Sequence, residues 1–119
     1  MNSESITDQF VDQLYATSLC SFSPETSQQV RNCLLDYISA TIVGSKMLRE
    51  KGIRFLGYLG GNSDDATLIG SGRRTNLERA VYVNGLSSHV AEMDDGVRFG
   101  MMHPGAPIFS ALLPVAEFE

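Results

Sequence analysis

The sequence has only two cysteines, few basic residues and no long apolar run, and each shortage excludes a class of protein. Two cysteines cannot supply a cysteine-rich zinc site, an iron–sulfur cluster or a disulfide framework within the chain. No apolar stretch approaches the roughly 20 residues that a membrane-spanning helix needs. Nine basic residues stand against 14 acidic ones, and the net charge of -5 repels a phosphate backbone. We therefore expect no membrane insertion and no nucleic-acid partner.

The 119 residues, of which 43% are hydrophobic and 19% charged, are enough for one modest core and for one domain at most. The N-terminal segment, residues 1–10, is polar and acidic. It has neither the basic region nor the apolar region of a secretory signal. The cytoplasm is therefore the expected location.

Apolar residues at helical spacing predict two helices in the first part of the chain. The first runs from about Ile6 to Ser18, with Ser3 or Ser5 as its N-cap. The second begins after Ser23, a typical N-cap residue, with Pro24 at the first helical position. The residues expected to face inward from this second helix are Val30, Cys33, Leu34, Tyr37, Ile38, Thr41 and Ile42.

Gly44 is the expected end of the second helix, since glycine commonly follows the last helical residue. A third helix is predicted from the apolar residues Met47, Leu48, Phe55, Leu56 and Leu59. A glycine-rich and polar loop follows over residues 60–65. The short apolar run at residues 66–69 then indicates an extended segment, and residues 70–74 form a second loop.

Two further helices are predicted in the second half of the chain. Thr75 and Glu78 fit a capping box, and the fourth helix then runs from Asn76 to about Asp94, burying Leu77, Ala80, Val81 and Leu86. The last helix begins near Pro107 and reaches Glu119 without a stop signal. Its inward residues are expected to be Ile108, Ala111, Leu112, Val115 and Ala116. Together the patterns predict an all-α domain of about five helices, cut short within residues 1–119.

Both histidines of the sequence lie in a segment that also carries three carboxylates. His89 falls on the predicted fourth helix, and Glu92, Asp94 and Asp95 fall in its last turn. The helix macrodipole disfavours anions there, and crowded carboxylates disfavour each other's ionisation. A local rule broken without compensation indicates a functional site. A solvated helix end with its carboxylates in water is the alternative.

His103 precedes Pro104 in a loop just before a predicted helix, where backbone amides can receive an anion. Such a histidine transfers a proton or binds a substrate carboxylate; an ordinary loop histidine is the alternative. His89 is expected to be a half-buried residue of the helix. A metal site made of both histidines with Glu92 and Asp95 lacks the familiar His-Glu-x-x-His spacing, so no metal is expected.

A series of short motifs follows in a specific order between about Val30 and the C-terminus. The motifs are Leu35-Asp36-Tyr37, Gly44, Gly60-Gly61, Ala66-Thr67-Leu68-Ile69-Gly70, Ala80, Asn84-Gly85, His89, Asp94-Asp95, His103-Pro104-Gly105 and Ala111-Leu112-Leu113-Pro114-Val115-Ala116-Glu117. In this order and spacing they resemble the MmgE/PrpD family of 2-methylcitrate dehydratases, cis-aconitate decarboxylases and iminodisuccinate epimerases.

The resemblance implies the N-terminal part of the all-helical domain of a two-domain, homodimeric enzyme, with the second, lid domain absent from this chain. Members of the family act on small di- and tricarboxylates by proton transfer beside a carboxylate, without metal or organic cofactor. The family's catalytic histidine maps onto His103, and its Asp-x-Asp-Asp motif maps onto Glu92, Asp94 and Asp95. Gly96 stands where a threonine often follows, and the loop up to His103 is longer by one residue than in the decarboxylases.

Two interpretations of function remain at this point. The first is the N-terminal portion of a cofactor-independent lyase or isomerase of small polycarboxylates. Its catalytic residues would be His103, Asp95 and Glu92, and its substrate-binding residues His89, Asp94 and Arg98. No ammonium group lies in the same segment to stabilise developing negative charge, so this chain alone is expected to be inactive. The alternative is a non-catalytic helical domain for dimerisation or scaffolding.

Overall fold

The computed structural model describes residues 5–17, 22–50 and 63–119, with Glu50 described by its backbone alone, and it is mostly helical. Clustering of contacts divides the chain into two compact units, Met1–Val30 and Arg31–Glu119. The all-α prediction, with a short extended segment, is confirmed. In chain order the elements are α1 (Ile6–Ala16), α2 (Pro24–Glu50), β1 (Ala66–Leu68), β2 (Arg73–Thr75), α3 (Leu77–Val90) and α4 (Gly105–Phe118).

The starts of α1 and α2 are set by local side-chain hydrogen bonds. Ser5 Oγ accepts from the Asp8 amide at 3.1 Å, and the Asp8 carboxylate accepts from the Ser5 amide at 3.1 Å, which completes a capping box. Ser23 Oγ accepts from the amide of Thr26 at 3.2 Å, one turn into α2. Both predicted starts are therefore confirmed. α1 ends at Ala16, slightly before the predicted end, and buries none of its residues.

The prediction that Gly44 ends the second helix is wrong, because α2 continues to Glu50. Gly44 is buried against α3, and a β-carbon there would collide with the carbonyl oxygen of Ser87. The glycine therefore permits close approach of two helices and does not form a C-terminal cap. Of the residues assigned to a separate third helix, Met47 and Leu48 belong to α2, whereas Phe55, Leu56 and Leu59 lie outside the described residues.

The inward face predicted for α2 is correct at its centre and wrong at its margins. Tyr37 and Thr41 are buried, at 2% and 0% exposure, whereas Val30 and Ile42 are about half exposed. Cys33, Leu34 and Ile38 lie between these extremes. The buried apolar core of the described residues includes mostly small side chains, namely Tyr37, Ala40, Leu48, Ala66, Ala80 and Ala106.

The extended segment predicted at residues 66–69 is strand β1, which pairs antiparallel with β2 so that Ala66 lies opposite Thr75. This hairpin packs against α3 and α4. Asn84 of α3, which is 2% exposed, anchors it. The Asn84 side chain accepts from the Ile69 amide at 3.1 Å and donates to the Thr67 carbonyl at 2.9 Å. A buried amide with both ends satisfied fixes the hairpin to the helix.

The predicted capping box of Thr75 and Glu78 is wrong, because Thr75 belongs to β2. Asn76 is the N-cap of α3 instead, and its side chain accepts from the Arg79 amide at 2.8 Å. The pairing of the hairpin thus shifts the cap by one residue. Of the predicted inward residues, Ala80 is buried and Leu77, Val81 and Leu86 are partly buried. None of the helices of the described residues is long and apolar enough to cross a membrane.

Helix α4 begins at Gly105, earlier than predicted, and buries the face opposite to the expected one. Its buried residues are Gly105, Ala106, Ser110 and Pro114. The residues predicted to face inward, all of which are exposed, are Ile108, Ala111, Leu112, Val115 and Ala116. α4 is apolar nearly all round, so its periodicity could not select a face. Small residues were selected instead, because α3 and α4 pack closely.

Candidate active site

The carboxylate-rich segment lies beyond the end of α3 and not in its last turn. The helix ends at Val90, with Ala91 as its C-cap, and Glu92 then adopts a left-handed conformation with φ of 53°. The amide of Glu92 donates to the His89 carbonyl at 2.9 Å, which closes the helix end. The prediction that the helix extends to about Asp94 is therefore wrong. The left-handed residue turns the chain, so the carboxylates that follow leave the helix axis.

Asp94 lies between the two histidines. One of its carboxylate oxygens, Oδ2, is 2.8 Å from His89 Nδ1 and 3.7 Å from His103 Nδ1. The imidazole rings meet edge to face with their centroids 5.5 Å apart. The Asp94 side chain is 3% exposed, and its other oxygen, Oδ1, is buried without a hydrogen-bond partner. The structure therefore brings together three of the residues that the sequence analysis selected.

The orientation of His103 is fixed by a main-chain carbonyl. His103 Nδ1 lies 2.6 Å from the carbonyl oxygen of Asp95. A carbonyl can only accept, so Nδ1 carries a hydrogen in this arrangement. In the neutral ring Nε2 is then the free, basic nitrogen, and the side chain is 51% exposed. His103 can therefore exchange a proton with a bound molecule through Nε2.

Asp95 is itself held by the start of α4. Its Oδ1 accepts from the amide of Gly105 at 2.9 Å, as expected for a carboxylate at a helix N-terminus. A β-carbon on Gly105 would lie 2.6 Å from that oxygen, so a larger residue would displace the carboxylate. The sequence analysis did not select Gly105. The signal was present, because an aspartate that precedes a helix start by a short loop can bind the first free amides.

A tight loop brings Asp95 and His103 side by side. Val97 and Met102 form an antiparallel bridge, in which the Val97 amide donates to the Met102 carbonyl at 2.9 Å. Met101 takes a left-handed conformation with φ of 47°. An open groove of about 430 Å³ runs along this loop, and its lining residues are Gly96, Val97, Arg98, Met101, Met102 and His103. Arg98 thus borders the same groove as the reactive face of His103.

The electrostatics of the site centre on His89. The hydrogen bond from Asp94, reinforced by its negative charge, raises the pKa of His89, and the charge of Glu92 adds to the effect. The His89 side chain is 58% exposed and the Glu92 side chain is also exposed. Within the described ranges, no three His, Cys, Asp or Glu side chains are grouped so that they could hold a metal ion.

The profile of the MmgE/PrpD N-terminal domain matches residues 8–119. The chain belongs to the MmgE/PrpD family. The match begins well before Val30, where the motif resemblance starts, so it covers α1 as well as the site. Comparison with curated proteins and with solved structures found no significant match.

Proposed function

We propose that this MmgE/PrpD domain supplies a proton-transfer site to a cofactor-independent lyase or isomerase of small di- or tricarboxylates. The observation that carries the proposal is the arrangement of His103. Its Nδ1 is bound to the Asp95 carbonyl, so its Nε2 is the nitrogen that can react with a molecule in the open groove. Members of this family act on carbon atoms next to carboxylates, and a neutral imidazole is a suitable base for such a proton.

The proposed step is a proton transfer between His103 Nε2 and a carbon next to a substrate carboxylate. When Nε2 takes the proton, the ring becomes an imidazolium. The Asp95 carbonyl and the Asp94 carboxylate, 2.6 and 3.7 Å from Nδ1, then face its positive charge. Both contacts stabilise the charged ring in place. In the reverse direction the same ring delivers the proton, so dehydration, decarboxylation and epimerisation share this step.

The other site residues have separate proposed roles. Asp95 orients His103 and is fixed by the Gly105 amide. The exposed Glu92 exchanges protons with solvent at the edge of the site. Arg98 lines the groove beside His103 and binds a substrate carboxylate, as its guanidinium matches that group. His89 and Asp94 complete the substrate-binding side. A carboxylate substrate develops further negative charge during the reaction, so cationic groups are needed around it.

At the level of the whole enzyme, the family assignment supports a helical domain completed by a second, lid domain and paired as a homodimer. We further propose a cytoplasmic location and activity without metal or organic cofactor. The chemistry described above uses proton transfer alone. Chelator-treated enzyme should therefore keep its activity, and loss on chelation with recovery on adding zinc or iron would contradict this part of the proposal.

A non-catalytic helical domain for dimerisation or scaffolding is the second candidate function. The observation that favours it is the exposed apolar face of α4, where Ile108, Leu112 and Phe118 are each more than half exposed. Contiguous apolar surface of this kind indicates a protein interface. Interface and catalysis are compatible, so the two candidates differ only in whether the histidine site turns over a substrate.

The test is a screen of the complete gene product against methylcitrate, cis-aconitate, iminodisuccinate and related acids, with products identified by mass spectrometry. With a substrate in hand, His103→Gln should lower kcat by about 10²–10⁴, which is the usual contribution of one positioned acid–base group. Arg31→Gln, at an exposed position of α2, is the control and should leave the rate unchanged. Unchanged activity in His103→Gln overturns the catalytic role. Absence of any polycarboxylate turnover favours the scaffold candidate.

A further inference from the structure

We propose that His89 is a positioning residue that acts on His103 through the carboxylate of Asp94. The inference rests on the proposed function, because it concerns how the proton-transfer group is controlled. Sequence reasoning placed His89 among substrate-binding residues. Its contacts assign it a different task, since its Nδ1 is committed to Asp94 and not to the groove.

The first argument is that one buried oxygen serves both histidines. Asp94 Oδ2 contacts Nδ1 of His89 at 2.8 Å and approaches Nδ1 of His103 to 3.7 Å, while Oδ1 has no partner. A carboxylate whose side chain is 3% exposed has lost most of its hydration and needs compensation from its neighbours. The two imidazoles are the groups that face this carboxylate. Whatever charge His89 carries is therefore part of the environment of His103.

The second argument is that the two contacts differ in kind. At 2.8 Å His89 forms a hydrogen bond with Asp94, whereas 3.7 Å is too long for one. His103 Nδ1 donates to the Asp95 carbonyl instead. Asp94 therefore acts on His103 by charge alone, and the size of that effect depends on how far His89 neutralises the carboxylate. His89 can change what His103 experiences without touching it by a hydrogen bond.

The remaining charged groups of the segment do not provide this link. The Asp95 carboxylate is bound to the Gly105 amide, and Glu92 acts on His89. Arg98 borders the groove on the side of the loop. When His89 is protonated, it and Asp94 form a neutral pair, and His103 experiences little net charge. When His89 is neutral, the negative charge of Asp94 is uncompensated and His103 holds its proton more firmly.

Proton NMR titration of the imidazole resonances tests the inference, because the chain has only two histidines. In His89→Gln a single imidazole signal remains, and the glutamine amide can still donate to Asp94 but has no charge. We expect the titration midpoint of His103 to move to higher pH by roughly half a unit or more in this variant. Asp94→Asn, which is isosteric, should move both midpoints to lower pH.

The double variant His89→Gln/Asp94→Asn decides whether the effect passes through Asp94. If it does, the His103 midpoint in the double variant equals that in Asp94→Asn alone. If His89→Gln shifts His103 equally in both backgrounds, the two rings interact directly and the inference is overturned. An unchanged His103 midpoint in His89→Gln overturns it as well. A dispersed amide spectrum of each variant confirms that the fold is retained.

In the complete gene product, His89→Gln should move the pH profile of kcat/KM to higher pH and leave the maximal rate within about tenfold. A residue that only binds substrate would raise KM and leave the profile in place. Failure of the wild type to turn over any polycarboxylate would overturn the proposed function. The titration cycle needs no substrate, so it still decides whether His89 acts on His103 through Asp94.

Discussion

Gly44 of α2 faces the carbonyl oxygen of Ser87 of α3 with no room for a β-carbon between them. The Val90 side chain closes the same space, 2.8 Å from where that β-carbon would lie. A glycine inside a helix usually costs about 1 kcal/mol relative to alanine. Here it allows the backbones of α2 and α3 to approach closely just before the end of α3. The position of His89 therefore depends on the absence of a side chain at Gly44.

Gly44→Ala should destabilise the protein although alanine favours the helix. The added methyl group can only be accommodated if the two helix backbones move apart, because the group that it meets is a main-chain carbonyl. We expect the free energy of unfolding, measured by urea denaturation, to fall by about 1–3 kcal/mol. Gly96→Ala is the control, since no atom lies within 4 Å of its β-carbon position. Equal stability of Gly44→Ala and wild type would show that the helices can separate without cost.

The parts of the fold that sequence predicted well are those decided within a few residues. Ser5 and Pro24 mark helix starts because capping depends on the next turn of the same chain. Gly44 was misassigned because its role is set by a carbonyl of another helix. In α4 the small residues Ala106 and Ser110 are buried and the larger apolar ones are exposed. Hydrophobic periodicity favours large side chains and cannot detect a face selected for close packing.

The site shows the same division. Spacing alone was enough to predict that His103, His89 and the carboxylates belong together. It could not predict that α3 ends before Glu92, because the left-handed turn there has no glycine to announce it. Nor could it assign the Asp95 carbonyl, which fixes His103, since main-chain groups are the same in every residue. The tautomer of the reactive ring was therefore visible only in the structure.

The stability of the protein should depend on pH through His89. Asp94 raises the pKa of His89 above its ordinary value of 6.5, so protonation of His89 stabilises the folded state. This contribution is fully present below about pH 6.5 and is lost as pH rises through the folded pKa. Urea denaturation should show a falling free energy of unfolding as pH increases above 6.5. The effect should be modest and weaker at high salt, since the ring is more than half exposed.

Asp94→Asn should remove most of this decline, because it removes both the hydrogen bond to the cation and the charge that hold the proton on His89. Asp12→Asn, an exposed carboxylate of α1, serves as the control and should retain the wild-type pH dependence. A decline of the same size in Asp94→Asn would assign the pH dependence to another group.

Gly105→Ala should separate the integrity of the site from the integrity of the fold. The new β-carbon would meet Asp95 Oδ1 at 2.6 Å, which is the end of a flexible side chain, so the carboxylate can move aside at little cost in stability. Alanine also favours the helix more than glycine does. The loss should appear in activity, since Asp95 carries the carbonyl that orients His103. Kinetics of the complete gene product should show kcat reduced by about tenfold or more.

Gly100→Ala is the matched control for this prediction. Its β-carbon would meet only the side chain of Met102, at 3.3 Å, on the exposed loop. Both variants should unfold within about 1 kcal/mol of the wild type. Full activity in Gly105→Ala would show that the amide of residue 105 and the Asp95 carboxylate do not need to stay in contact for the reaction.

The exposed face of α4 should make the protein self-associate. Ile108, Leu112, Val115 and Phe118 recur at helical spacing and are 51%, 60%, 40% and 58% exposed, and such apolar surface favours a partner. We expect sedimentation at micromolar concentration to show a dimer or larger species. Leu112→Gln should shift the distribution towards monomer, whereas Leu35→Gln, equally exposed on α2, should shift it less if α4 provides the contact. A wild-type monomer that melts cooperatively would show that this face is stable in water without a partner.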